Sequence, residues 1–142
     1  GLIKDLRGEP YLRGHKCGNP LLQAYFAGHA VDAAVLVCDT EGENPEVVIA
    51  AVAGAAPVGL KGVPRVIVGA AHPCLEAWLL AEPWARDATS EELKRALANK
   101  DSSTRGQKGK CTWANRVYLE ALRDGFPEYA RVVDRIAAIP AT

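Results

Sequence analysis

Two short, unbroken apolar runs constrain this chain most. They are AAVLVC at 33–38 and RVIVG at 65–69. A continuous apolar run of this length, rich in β-branched residues, predicts a strand buried on both faces. Each run is followed by a helix signal. Asp39-Thr40-Glu41-Gly42 closes the first, and Asn44-Pro45-Glu46 then opens a helix that Val47 to Ala53 can carry until Gly54 and Pro57. His72-Pro73 follows the second and opens a helix from Cys74 to about Ala81. The order strand, acidic turn, helix, strand, helix is a βαβ unit. It predicts an α/β fold with a parallel sheet and a right-handed crossover.

At 142 residues the chain is one domain's worth. Hydrophobic residues make up 49% and charged residues 24%, the balance of a globular protein rather than a disordered one. Lys plus Arg and Asp plus Glu both number 17, which excludes a uniformly basic nucleic-acid coat and an acidic tail but leaves room for a local basic patch. There is no methionine and the chain opens on Gly1, so it is expected to be a processed product or a portion of something longer.

The α/β core is expected over 1–85 and a helical extension over 86–142, in one compact domain. Asn19-Pro20 opens a helix candidate that ends near Gly28. Ala88 to Glu92 resembles a cap with acids in the first turn, leading into Leu93 to Ala98. Residues 99–110 (NKDSSTRGQKGK) read as a polar, basic loop, with further helices over Thr112–Leu122 and Pro127–Ile136. No window reaches roughly 18 uncharged apolar residues, so no membrane span is predicted. The charged N-terminus is unlike a secretory signal. The four cysteines, at 17, 38, 74 and 111, form no CxxC pair and read as reduced, mostly buried thiols of a cytoplasmic protein.

The acids fall in an informative place. Parallel strands of a βαβ unit bring their carboxyl ends to one edge of the sheet, where open α/β sheets carry their sites. Asp39 and Glu41 leave the first strand there, and Glu76 lies in the first turn of the helix after the second. Hard carboxylate oxygens suit Mg²⁺ or Mn²⁺, and such clusters serve phosphodiester hydrolysis. Ordinary turn chemistry at a strand end and the helix dipole would place the same acids.

Two segments resemble a known family. VLVCDTEG (35–42) resembles the strand and acidic turn of TOPRIM-type domains, where D-x-D follows the strand. HPCLEAWLLAE (72–82) resembles the Glu-aromatic-Leu-Leu helix of RloB-like proteins and of OLD-family nucleases. The likeness covers roughly residues 19–85. It implies a TOPRIM-like fold and Mg²⁺-dependent cutting of nucleic acid, in restriction or defence against phage. By position, Asp39 matches the first acid of D-x-D, Glu41 replaces the second, and Glu76 matches the helix glutamate. All three would be catalytic and hold metal. The family's earlier glutamate on a first strand has no clear counterpart, because only Asp5, Glu9 and Asp32 precede Asp39. The alternative is therefore a catalytically inactive regulatory or partner-binding subunit of the same fold.

Lys94, Lys100, Arg105, Lys108 and Lys110 are the candidate contacts to a DNA or RNA backbone. An ATPase partner or a second copy of the chain is a further expectation. Other signals fall away. Gly106 to Thr112 evokes a phosphate loop, but Thr104 and Cys111 break the spacing. His15, Cys17, His72 and Cys74 make no usual zinc knuckle, and Ala77 breaks a deaminase motif. Trp78, Trp113 and Tyr118 are expected to be packing contacts. Ser102, Ser103 and Thr104 have no nucleophile pattern around them.

Overall fold

The computed structural model describes residues 33–55 and 65–140. The helix expected over 20–28, His15 and Cys17 lie outside the described residues. Strand β1 spans Ala34–Asp39 and helix α1 spans Pro45–Ala55. Strand β2 spans Val66–Ala71 and helix α2 spans Leu75–Leu80. The strands pair in parallel, from Ala34 opposite Val66 to Asp39 opposite Ala71. The predicted βαβ core is therefore present, and the chain is a mixed α/β protein.

Each sheet face has its own cover. Leu36 and Cys38 of β1 and Val68 and Ala70 of β2 pack on Val48 and Val52 of α1. On the opposite face, helix α6 (Pro127–Ala137) lies against β2. Gly69 allows the approach, since a Cβ there would stand 2.5 Å from Val132 Cγ2. The expectation that both faces of the first strand are buried is corrected here. Val35 and Val37 are 43% and 39% exposed, because α6 packs chiefly on β2. An apolar run reports strand propensity, while burial depends on which helix lands where.

A second core joins α2 to the C-terminal helices. A 3₁₀ turn over Pro83–Asp87 leads to α3, Ser90–Lys100. Thr89 caps α3 as predicted, accepting the N–H of Glu92 at 3.2 Å. Trp78, Leu79 and Leu80 of α2 pack with Leu93, Leu97, Leu122 and Phe126. The Trp78 ring meets Tyr129 of α6 edge-on at 5.3 Å.

The basic loop expected over 99–110 is instead mostly ordered helix. Ser102–Arg105 is a 3₁₀ turn whose start is held by Asp101, and α4 spans Gln107–Ala114. The single helix expected over 112–122 is split, since α4 ends at Ala114 and α5 spans Leu119–Gly125. Gly109, Cys111 and Thr112, weak helix formers, and the lack of an apolar face hid α4 in the sequence, whereas its contacts with the 3₁₀ turn and α2 support it. Trp113 serves as a helix contact, donating from Nε1 to the Leu79 carbonyl at 2.9 Å. Tyr118, expected in the core, is exposed and donates to Glu120 at 3.0 Å. Among the described residues, no helix is long and apolar enough to cross a membrane.

Candidate functional site

The carboxyl ends of β1 and β2 are stitched together just past the sheet. Thr40 N–H donates to the Ala71 carbonyl at 3.0 Å, and Glu41 N–H to the Pro73 carbonyl at 2.9 Å. Asp39 reaches across, and its Oδ1 accepts the Leu75 N–H at 2.9 Å. That N–H opens helix α2, where an anion is favoured. The sequence thus delivers Asp39 from one strand to the helix that follows the other.

Burial pushes the Asp39 carboxyl up to about 6. The Leu75 N–H pulls it down, the negative charges of Glu76 and Glu41 push it up again, and Lys94 opposes them. Asp39 therefore feels both Glu76 and Glu41. Glu41 is tied to a neighbour at the same edge. Its backbone is left-handed, at φ 52°, and its Oε2 accepts the Ser90 hydroxyl at 3.0 Å.

Glu76 is nearly enclosed and already paired. Its side chain is 4% exposed, and its Oε1 lies 2.8 Å from the Lys110 ammonium. Burial pushes its carboxyl up, but hydrogen bonds from Lys110 and Cys74 outweigh this and hold it below the ordinary range. The Cys74 thiol beside it is pushed up to about 12, by burial first and then by Glu76, against a hydrogen bond from Ser90. Cys74 is therefore an un-ionised, inert thiol at neutral pH.

Lys110 arrives through a close approach of α4 to the preceding 3₁₀ turn. A Cβ on Gly109 would stand 1.9 Å from the Ser103 carbonyl oxygen, so this contact requires glycine. Of the five basic residues proposed as a phosphate wall, two bear on the acidic edge. Lys110 is on the acidic edge, and Lys94 acts on Asp39 from α3. Lys100 is 3.9 Å from Glu82, a weak surface pair, while Arg105 and Lys108 are exposed.

The fit to a metal follows from these contacts. Among the described residues, no three His, Cys, Asp or Glu side chains come together as a group able to hold a metal ion. Asp39 and Glu76 share the edge, but Glu41 is on Ser90. Mg²⁺ commonly takes only one or two protein carboxylates and fills its remaining positions with water and substrate phosphate. The donor chemistry of Asp39 and Glu76 suits that mode. A closed cage of three carboxylates does not match the arrangement.

Sequence reasoning missed four participants: His72, Thr40, Ser90 and Gly109. The Thr40 hydroxyl lies 2.7 Å from His72 Nδ1. Continuing the parallel register by one residue beyond Asp39 and Ala71 would have paired these two. The chain matches no family model, no curated protein and no solved structure.

Proposed function

We propose that this chain is a TOPRIM-like, metal-dependent phosphodiesterase acting on DNA or RNA, of the RloB-like or OLD-family nuclease kind, in restriction or phage defence. One observation carries the reading. Two carboxylates, Asp39 at the end of β1 and Glu76 in the helix that follows β2, share the carboxyl edge of the sheet with a lysine 2.8 Å from one of them. Acids with an adjacent ammonium suit a phosphodiester, whose negative charge grows as it is attacked.

The residues divide the work as follows. Asp39 and Glu76 would hold Mg²⁺ or Mn²⁺, which when bound supplies Lewis acidity and a water of lowered pKa. Lys110 keeps Glu76 ionised despite its burial. Its ammonium also lies where a phosphate oxygen brought to the edge gains a hydrogen bond and a positive charge. Lys94, on the Asp39 side, adds long-range attraction for the same anion. Glu41, whose Oε2 accepts the Ser90 hydroxyl at 3.0 Å, would join the ligands only if that hydrogen bond opens. Lys100, Arg105 and Lys108 would meet the backbone farther out.

The test is direct. The native chain and Asp39→Ala are incubated with single- and double-stranded DNA and RNA, with Mg²⁺, Mn²⁺ or chelator. Metal-dependent cutting by the native chain alone supports the reading. No cutting, or equal cutting by the variant, refutes it.

A second reading has one observation in its favour. Glu76 is already compensated by Lys110, so the buried charge needs no ion. On this reading the same edge belongs to an inactive regulatory or partner-binding subunit. Binding of nucleic acid or protein without cutting, unaffected by Asp39→Ala, distinguishes it.

A further inference from the structure

The Thr40–His72 contact has a directional consequence. Thr40 is fully buried, one residue past Asp39. Its hydroxyl oxygen accepts the Gly42 N–H at 3.3 Å and lies 2.7 Å from His72 Nδ1. A hydroxyl has a single proton to give. Among the described residues, His72 Nδ1 is the acceptor that this proton meets. Were Nδ1 protonated, a buried hydroxyl donor would be left without a partner, which costs about 1–3 kcal/mol. The hydrogen bond thus favours the tautomer with its proton on Nε2, so that Nδ1 accepts from Thr40.

That bond ties two loops that also meet through backbone hydrogen bonds and through Asp39. Glu41 N–H to Pro73 and Thr40 N–H to Ala71 fix the main chain. The Thr40–His72 pair adds a side-chain tie between the acidic turn and the residue that follows β2. Glu41 needs such support, since a non-glycine residue at φ 52° persists only where its surroundings over-determine it. Asp39 and Glu41 flank Thr40 directly. We infer that His72 is a positioning residue: through the Thr40 hydroxyl it holds the acidic turn so that Asp39 and Glu41 keep their places on the edge. The inference rests on the proposed function for its catalytic meaning, while its structural content stands without it.

The experiment pairs variants that keep or remove one hydrogen bond. Thr40→Ser keeps the hydroxyl, and Thr40→Val keeps the shape but loses it. His72→Asn offers an oxygen near the Nδ1 position, and His72→Phe offers none. Nitrogen-15 NMR of the native chain is expected to show His72 as the Nε2–H tautomer. The Glu41 and Gly42 amide signals are expected to shift in the Val and Phe variants and to stay near native in the Ser and Asn variants. Under the cutting assay, Val and Phe are expected to lower kcat on the order of tenfold or more with little change in KM, because small misplacements of reacting groups are costly. Ser and Asn are expected to restore most of it. An Nδ1–H tautomer, unmoved amides in Thr40→Val, or a Ser variant as impaired as Val overturns the inference. If the native chain cuts nothing while the tautomer and amide shifts behave as expected, the proposed function fails and the positioning role stands.

Discussion

Lys110 reaches from the first turn of α4 to Glu76 in the first turn of α2, and the two charged atoms stand 2.8 Å apart. Glu76 is 4% exposed and Lys110 22% exposed, so one partner is in the interior and the other at its rim. The asymmetry sets what each substitution does. Lys110→Met leaves a buried carboxylate unpaired. The expected loss is about 2 kcal/mol in a urea titration, below the 3–5 kcal/mol of a fully buried pair because Lys110 is partly solvated. Adding Glu76→Gln to Lys110→Met should return part of it. A native-like midpoint for Lys110→Met would mean that the pair contributes nothing.

The same pair fixes a sign with pH. With Lys110 present, the Glu76 carboxyl is held below its ordinary 4.5. The resulting stability is present above the unfolded value and is lost as pH falls through the folded one. In Lys110→Met the largest cause of the lowering is gone, the Cys74 and backbone hydrogen bonds remain, and burial pushes the other way. Carbon-13 NMR of the Glu76 carboxyl should then show it titrating higher than in the native chain.

Asp39 behaves oppositely. Its carboxyl is pushed from 3.8 to about 6, chiefly by burial, so the folded chain binds the proton more tightly than the unfolded one. The ionised side chain therefore opposes folding. That cost is fully present above about 6 and is gone below 3.8. Asn keeps an oxygen for the Leu75 N–H and removes the charge. Asp39→Asn is expected to be more stable than native at pH 8, to converge with it by pH 4, and to cut no nucleic acid. A variant that is less stable at pH 8 would contradict the burial of this charge. A gain in stability with lost activity is the pattern expected of a charge kept for function.

Two glycines separate rigid from yielding contacts. Gly109→Ala sets a Cβ 1.9 Å from the Ser103 carbonyl oxygen, which is backbone and cannot step aside. Helix propensity alone favours Ala by up to about 1 kcal/mol, but the clash outweighs it, and a net loss of about 2 kcal/mol is expected. Gly69→Ala meets Val132 Cγ2 at 2.5 Å, a side chain. Its loss should be largely relieved by adding Val132→Ala. A thermal-unfolding cycle on Gly69 and Val132 should show coupling of about 1 kcal/mol. Additive effects would mean that α6 does not pack there.

Much of the edge was legible because its causes are local. The strand runs, the Thr89 cap and the placement of Asp39 and Glu76 follow from short-range pattern and from the rule that parallel strands share a carboxyl edge. What the sequence hid depends on contacts between distant segments. Lys110 looked like one cation among several in a flexible loop, and only the close approach of Gly109 to Ser103 brings it to Glu76. Glu41 looked equivalent to Asp39, yet its backbone is left-handed and its carboxylate accepts the Ser90 hydroxyl. His72 was set aside with a failed zinc motif, and its meaning comes from one further step of strand register.

The central claim is that Asp39 and Glu76 form a divalent-ion edge. Mn²⁺ titrated into the nitrogen-15-labelled chain tests it without any substrate, since the ion's unpaired electrons broaden only nearby amides. The account predicts that broadening begins at Asp39, Thr40, Leu75 and Glu76, is competed by Mg²⁺, and disappears from these residues in Asp39→Asn. Broadening confined to other acidic surfaces, or unchanged at these four amides in Asp39→Asn, would contradict it.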